Sequence, residues 1–173
     1  MPTLVMDPQP REIDELLERR RASGADRWDE VWEGVLHMSP PPSVEHQSLV
    51  AKLARVLGPL ADAAGLETVV GVGIGVKDDH RVPDLALLRP GYEPQWNATA
   101  ALVVEVLSPG DDTWEKVPFY AAHGVDELLI VEPHGRGVHW LALSPEGEYA
   151  ATQRSSLIEL SPAELAQCLA WPE

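Results

Sequence analysis

Apolar positions along the chain recur with two spacings, one near 3.6 residues and one near two, and the switch between them marks the elements. Pro10 to Ala22 is polar with Ile13, Leu16 and Leu17 on one side, which predicts a helix. Trp28 to Met38 alternates like a hairpin with Glu33-Gly34 at its turn. Ser39-Pro40-Pro41-Pro42 is a stiff connector. Ser43 then caps a helix that carries His46 near its start, runs to about Ala64 and stops at Gly65. Thr68 to Val76 alternates apolar residues with glycine and predicts one strand in close contact with another backbone. Val82 to Leu88 is a short strand, Gly91 to Thr99 a loop, and Ala101 to Leu107 a buried strand. Ser108-Pro109-Gly110 turns the chain into a helix from about Asp112 to His123, ended by Gly124. Leu128 to Glu132 and Val138 to Leu143 are strands joined at Gly135-Arg136-Gly137. Ser161, Pro162 and Glu164 open a last helix.

This order predicts one α/β (α+β) domain over residues 1–173, a mixed central sheet flanked by helices. Its parts are an N-terminal helix and hairpin in 10–38, a core in 43–143 and a tail in 144–173. No repeat or linker divides it. With 173 residues, 45% of them hydrophobic, the chain can bury a substantial core. No apolar run is long enough to span a bilayer, and the start has no signal-peptide pattern. The single Cys168 excludes an internal disulfide framework and an all-cysteine zinc site. A reducing, cytoplasmic setting is therefore expected. The formal net charge of −15 argues against avid nucleic-acid binding, unless divalent metals neutralise the site. Arg19-Arg20-Arg21 is read as a solvated helix face.

The candidate chemistry rests on two carboxylates in apolar surroundings. Asp84 follows Pro83 in one strand-like run, and Glu105 lies at the centre of another. A buried carboxylate is costly unless it is paired or holds a metal. Asp112, Lys116 and Tyr120 are spaced by four, so the turn after the Glu105 strand can aim Lys116 at the carboxylates. Oxygen ligands without cysteine suit Mg²⁺ or Mn²⁺, and metal-assisted phosphodiester hydrolysis is the reaction such a site fits. Proline is comfortable only in a first helical turn, so Pro118 moves the helix start toward Glu115 and loosens Lys116. Tyr120 is read as core, His46 as a helix-start residue rather than a ligand, and Asp78-Asp79 as a solvated turn. His123, His134 and His139 have no zinc-like spacing. The glycines of 68–76 match neither GxGxxG nor GK[ST].

Several of these pieces occur together in one family. Pro83-Asp84 is followed by Val103-Val104-Glu105-Val106-Leu107-Ser108-Pro109, then by Asp112, Lys116, Tyr120 and Gly124-Val125 at intervals of four. Glu127 and Val131-Glu132-Pro133 come next, with Glu33-Gly34, Met38-Ser39-Pro40 and His46-Gln47 upstream. From Trp28 to Leu141 the sequence resembles the Uma2 family, also called DUF820, assigned as endonucleases with the PD-(D/E)XK restriction-endonuclease-like fold. The resemblance implies that Asp84 and Glu105 bind a divalent metal, Mg²⁺ or Mn²⁺, and that Lys116 is the catalytic lysine. The standard motif places that lysine two residues after the glutamate, where this chain has Leu107. Glu33 would be a further acidic member. The implied function is a Mg²⁺-dependent endodeoxyribonuclease acting on DNA as a homodimer. Separately from the resemblance, the apolar strand Val138 to Leu143 is a candidate contribution to such an interface. Two alternatives stay open. One is a catalytically silent nuclease-fold interaction module, favoured by the acidic charge. The other is a hydrolase of a smaller phosphodiester.

Overall fold

The computed structural model of the protein describes residues 11–110 and 112–171. The first residue of the expected N-terminal helix, Pro10, lies outside the described residues; the rest of it is α1 (Arg11–Ser23). The hairpin is β1 (Glu30–Trp32) and β2 (Val35–His37), with Glu33 and Gly34 both at positive φ in the turn. Helix α2 (Val44–Ala63) starts where the Ser43 hydroxyl accepts the His46 backbone N–H. One stripe of α2, Leu49, Val50, Leu53, Leu57 and Ala61, is buried.

The glycine-rich run differs from expectation. It is not one strand but two, β3 (Glu67–Val69) and β4 (Gly73–Val76), in different sheets. Gly71, at φ +68°, lets the chain break between them. The expected close backbone approach is real at Gly75, where a Cβ would collide with the Asp79 carbonyl oxygen. Next come β5 (Asp79–Arg81) and β6 (Leu85–Leu88). The expected 91–99 loop holds a short strand, β7 (Trp96–Asn97), parallel to β4. Strand β8 (Leu102–Val106) follows.

Pro118 splits the helix expected from Asp112. A 3-10 turn spans Thr113–Lys116, and α3 (Val117–Ala122) begins with the proline in its first turn. The last strands are β9 (Glu127–Glu132), β10 (Gly137–Leu143) and β11 (Tyr149–Ala151), and the chain closes with α4 (Pro162–Cys168) under a Ser161–Glu164 capping box. Strand β11 has too little apolar alternation to be seen in the sequence. It pairs with the Leu141–Leu143 half of β10.

Two mixed sheets result. The larger runs β11-β10-β9-β8-β6-β3, with only β8 and β9 parallel, and the smaller runs β2-β1-β5-β4-β7. Strand β8 is buried on both faces. Leu102, Val104 and Val106 join the α2 and α4 side of the core, while Val103 joins Ala86, Tyr120 and Ile130 on the other. Glu105 shares the Val103 face by the alternation of a strand.

Gly75 sits at φ +116° against both the Asp79 backbone and the Phe119 ring. Gly75→Ala is expected to cost roughly 2 kcal/mol or more, because both the backbone conformation and the space reject a side chain. Urea denaturation compared with Gly147→Ala, where φ is +83° but a Cβ meets nothing within 4 Å, will separate the crowding from the backbone strain.

Candidate active site

The register of β6 against β8 brings the two carboxylates together. Leu85 pairs with Val104, so one further step sets Asp84 opposite Glu105 on the same face. Beyond Leu85 the Asp84 side chain, not the strand backbone, takes up the Val106 N–H, which Oδ2 accepts at 2.7 Å. Its Oδ1 lies 2.7 Å from His46 Nε2, and His46 Nδ1 lies 3.2 Å from Ser108 Oγ. The α2 helix start is thereby tied to the end of β8 and to Asp84.

Glu105 is 3% exposed. Its Oε1 accepts from the Tyr120 hydroxyl at 2.6 Å and from Lys116 Nζ at 3.2 Å. Lys116 Nζ also donates to Glu30 Oε1 at 2.8 Å. Glu30 is held in turn: Oε1 accepts the Val82 N–H and Oε2 the Trp32 indole N–H, each at 2.8 Å. The Trp32 ring is itself fixed, stacked on His37 at 4.6 Å and covered by the Arg81 guanidinium at 4.4 Å. Lys116 and Tyr120 still reach one carboxylate although the helix is broken between them.

Of the expected members, Asp84, Glu105 and Lys116 converge, all lining one cavity of about 460 Å³. Glu33 does not join them. It is exposed at the hairpin turn, where its backbone N–H donates to Asp79 Oδ1. Asp79 thus has partners beyond solvent, Arg81 included. The acidic residue from the hairpin is Glu30, three positions earlier. Glu30 and Trp32 share one face of β1, and both line the cavity together with Trp28 from the turn before it. His46 and Tyr120, read as helix-start and core residues, both bond the carboxylates; Tyr120 is also fully buried.

Three carboxylates face one ammonium, and this imbalance sets the protonation. Burial raises the Glu105 pKa; Lys116 works against it, and Asp84 and Glu30 add to the rise. Burial lowers the Lys116 pKa, but Glu105 and Glu30 outweigh it and hold the ammonium above the ordinary lysine range. Burial pushes the Tyr120 phenol well up, so it is a neutral donor. Among the described residues, no three His, Cys, Asp or Glu form a ready-made metal cage. The surplus negative charge and the Asp84 and Glu105 oxygens nevertheless suit a hard cation such as Mg²⁺. That ion takes one or two carboxylates and fills its remaining positions with water and phosphate.

The sheet topology with this acidic cluster and its lysine defines a nuclease-fold protein. The family model described as "Putative restriction endonuclease" matches residues 13–170, and the chain belongs to that family, Uma2. The crystal structure of a putative nuclease belonging to DUF820 from Anabaena variabilis superposes with a TM-score of 0.66. It is 16% identical, and the match covers 81% of this chain and 90% of that one. No curated protein matches the sequence significantly. Among the described residues, no helix is long and apolar enough to cross a membrane.

Removing the ammonium would leave Glu30 and Glu105 buried side by side. Lys116→Met is expected to destabilise the protein by about 3 kcal/mol near neutral pH. A carboxyl with a raised folded pKa loses stability as pH rises through that pKa, so the deficit should be smaller near pH ~5 than near pH ~8. Urea titrations at both pH values test the magnitude and the sign.

Proposed function

We propose that this chain is a metal-dependent endonuclease that hydrolyses DNA phosphodiester bonds. The observation that carries the reading is the convergence of Glu30, Asp84, Glu105 and Lys116 in one cavity, with the lysine bonded to two of the carboxylates. Asp84 and Glu105 would hold Mg²⁺ or Mn²⁺. When bound, that ion supplies Lewis-acid polarisation of the phosphate and neutralises its charge.

The chain's own groups do the rest. Water adds its oxygen to phosphorus, one phosphorus–oxygen ester bond breaks, and the departing oxygen takes a proton. Lys116, held protonated by Glu105 and Glu30, is set to stabilise the negative charge that grows on the phosphate oxygens. A lysine kept charged in this way is a poor base, so its role is electrostatic. His46 fixes the Asp84 carboxylate and Tyr120 fixes Glu105, so neither must reorganise during the reaction. Association of two copies would set two such sites on two strands. A cytoplasmic location fits a chain that acts on DNA.

Supercoiled plasmid with Mg²⁺ or Mn²⁺ is expected to be nicked by the wild type. Glu105→Ala and Lys116→Ala should each lose roughly a hundredfold or more in rate. Millimolar Mn²⁺ should raise Tm, and Asp84→Ala with Glu105→Ala should abolish the rise. No nicking together with no metal-dependent rise in Tm would replace this reading with that of a nuclease-fold interaction module, which the net charge of −15 favours.

A further inference from the structure

The cavity that holds the acidic cluster has a mixed lining. Part of it is charged: Glu30, Asp84, Glu105 and Lys116. Another part is apolar: Trp28 from the approach to β1, whose ring also carries the Arg27 guanidinium 5.2 Å from its centroid, and Pro40, Pro41 and Pro42 from the stiff connector before α2. Among the described lining residues Lys116 is the only lysine or arginine, and it already bonds two carboxylates. Asp112 adds a fourth acidic side chain.

Such a wall is the opposite of what a duplex requires. A duplex presents phosphates outward and stacks its bases within, so binding proceeds through several lysine or arginine contacts to phosphate. An unpaired nucleotide presents a base face, and proteins hold it by packing that face on aromatic and apolar side chains. A cavity of about 460 Å³ lies within the size range of small-ligand pockets. Enzymes that act on a nucleotide drawn out of the stack seat it in a pocket of this kind.

We propose that the substrate enters as an unpaired DNA strand. One base packs against Trp28 and the Pro40–Pro42 wall while the adjoining phosphodiester reaches Lys116 and Glu105. This rests on the nuclease reading and names its substrate class. The backbone of Ser39–Ser43 is preset by its prolines, so the wall needs little ordering when the base arrives.

The test compares fluorescently labelled oligothymidylate with a duplex of equal length, by anisotropy at fixed salt without added metal. Cleavage of both is followed in parallel with Mn²⁺. The single strand is expected to bind at least roughly tenfold more tightly and to be cut faster. Trp28→Ala should weaken its binding by roughly tenfold, and Trp28→Phe should restore most of it. Pro41 is exposed, so Pro41→Asp should weaken binding while leaving Tm unchanged, which separates loss of the wall from loss of the fold. Equal or tighter binding of the duplex would overturn the proposal, as would unchanged single-strand binding in Trp28→Ala and Pro41→Asp. If plasmid nicking depends on Glu105 but the duplex is preferred, the nuclease reading stands and this inference fails. If single strands bind through Trp28 but no bond is cut, the inference about the ligand stands and the catalytic reading fails.

Discussion

A lysine ammonium buried between two carboxylates holds the halves of this protein in register. Glu30 belongs to the smaller sheet, Glu105 to the larger, and Lys116 to the turn between β8 and α3. None of the three could be buried unpaired at tolerable cost, so the correct placement of each depends on the others. That contact ties β1 of the smaller sheet to β8 of the larger one. It also decides that the space between the hairpin and the larger sheet is a polar cavity rather than more core.

Around it the structure spends apolar packing on rigidity. Arg81, 5% exposed, is pressed between the Trp32 and Phe119 rings, 4.4 and 3.9 Å from their centroids. Trp32 then holds Glu30, and Glu30 holds Lys116. Tyr120 plays the same part from the opposite side for Glu105. Each carboxylate therefore enters the site with its orientation set by a neighbour whose own freedom is already gone, as electrostatic preorganisation requires. The cluster keeps more negative charge than its one lysine can balance, and this makes it receptive to a cation.

An overall charge of −15 and the proposed action on phosphodiesters look contradictory. They agree if the site draws its substrate by local contact instead of by long-range attraction. A divalent ion at Asp84 and Glu105 would supply the positive charge where it is needed, and an apolar wall would hold the neutral part of the nucleotide.

The mixed α/β architecture was legible in the residue pattern, because α2, β8 and β9 carry strong periodicity or unbroken apolar runs. So were the capped helix starts at Ser43 and Ser161. Asp84, Glu105 and Lys116 could be singled out because a carboxylate in an apolar strand and a lysine one turn from Tyr120 are local features. What the sequence could not decide was which residues meet across long distances. Glu33 and Glu30 look alike in one dimension, and only the direction of the β1 pleat tells which points into the cavity. His46 became a partner of Asp84 through a contact spanning 38 positions. The glycine run split between two sheets because Gly71 turns the chain, and β7 and β11 exist only through their pairing with β4 and β10. Local periodicity determines which segments are strands and helices. The packing of two sheets around a buried charge, which no local pattern encodes, decides which polar groups form the site.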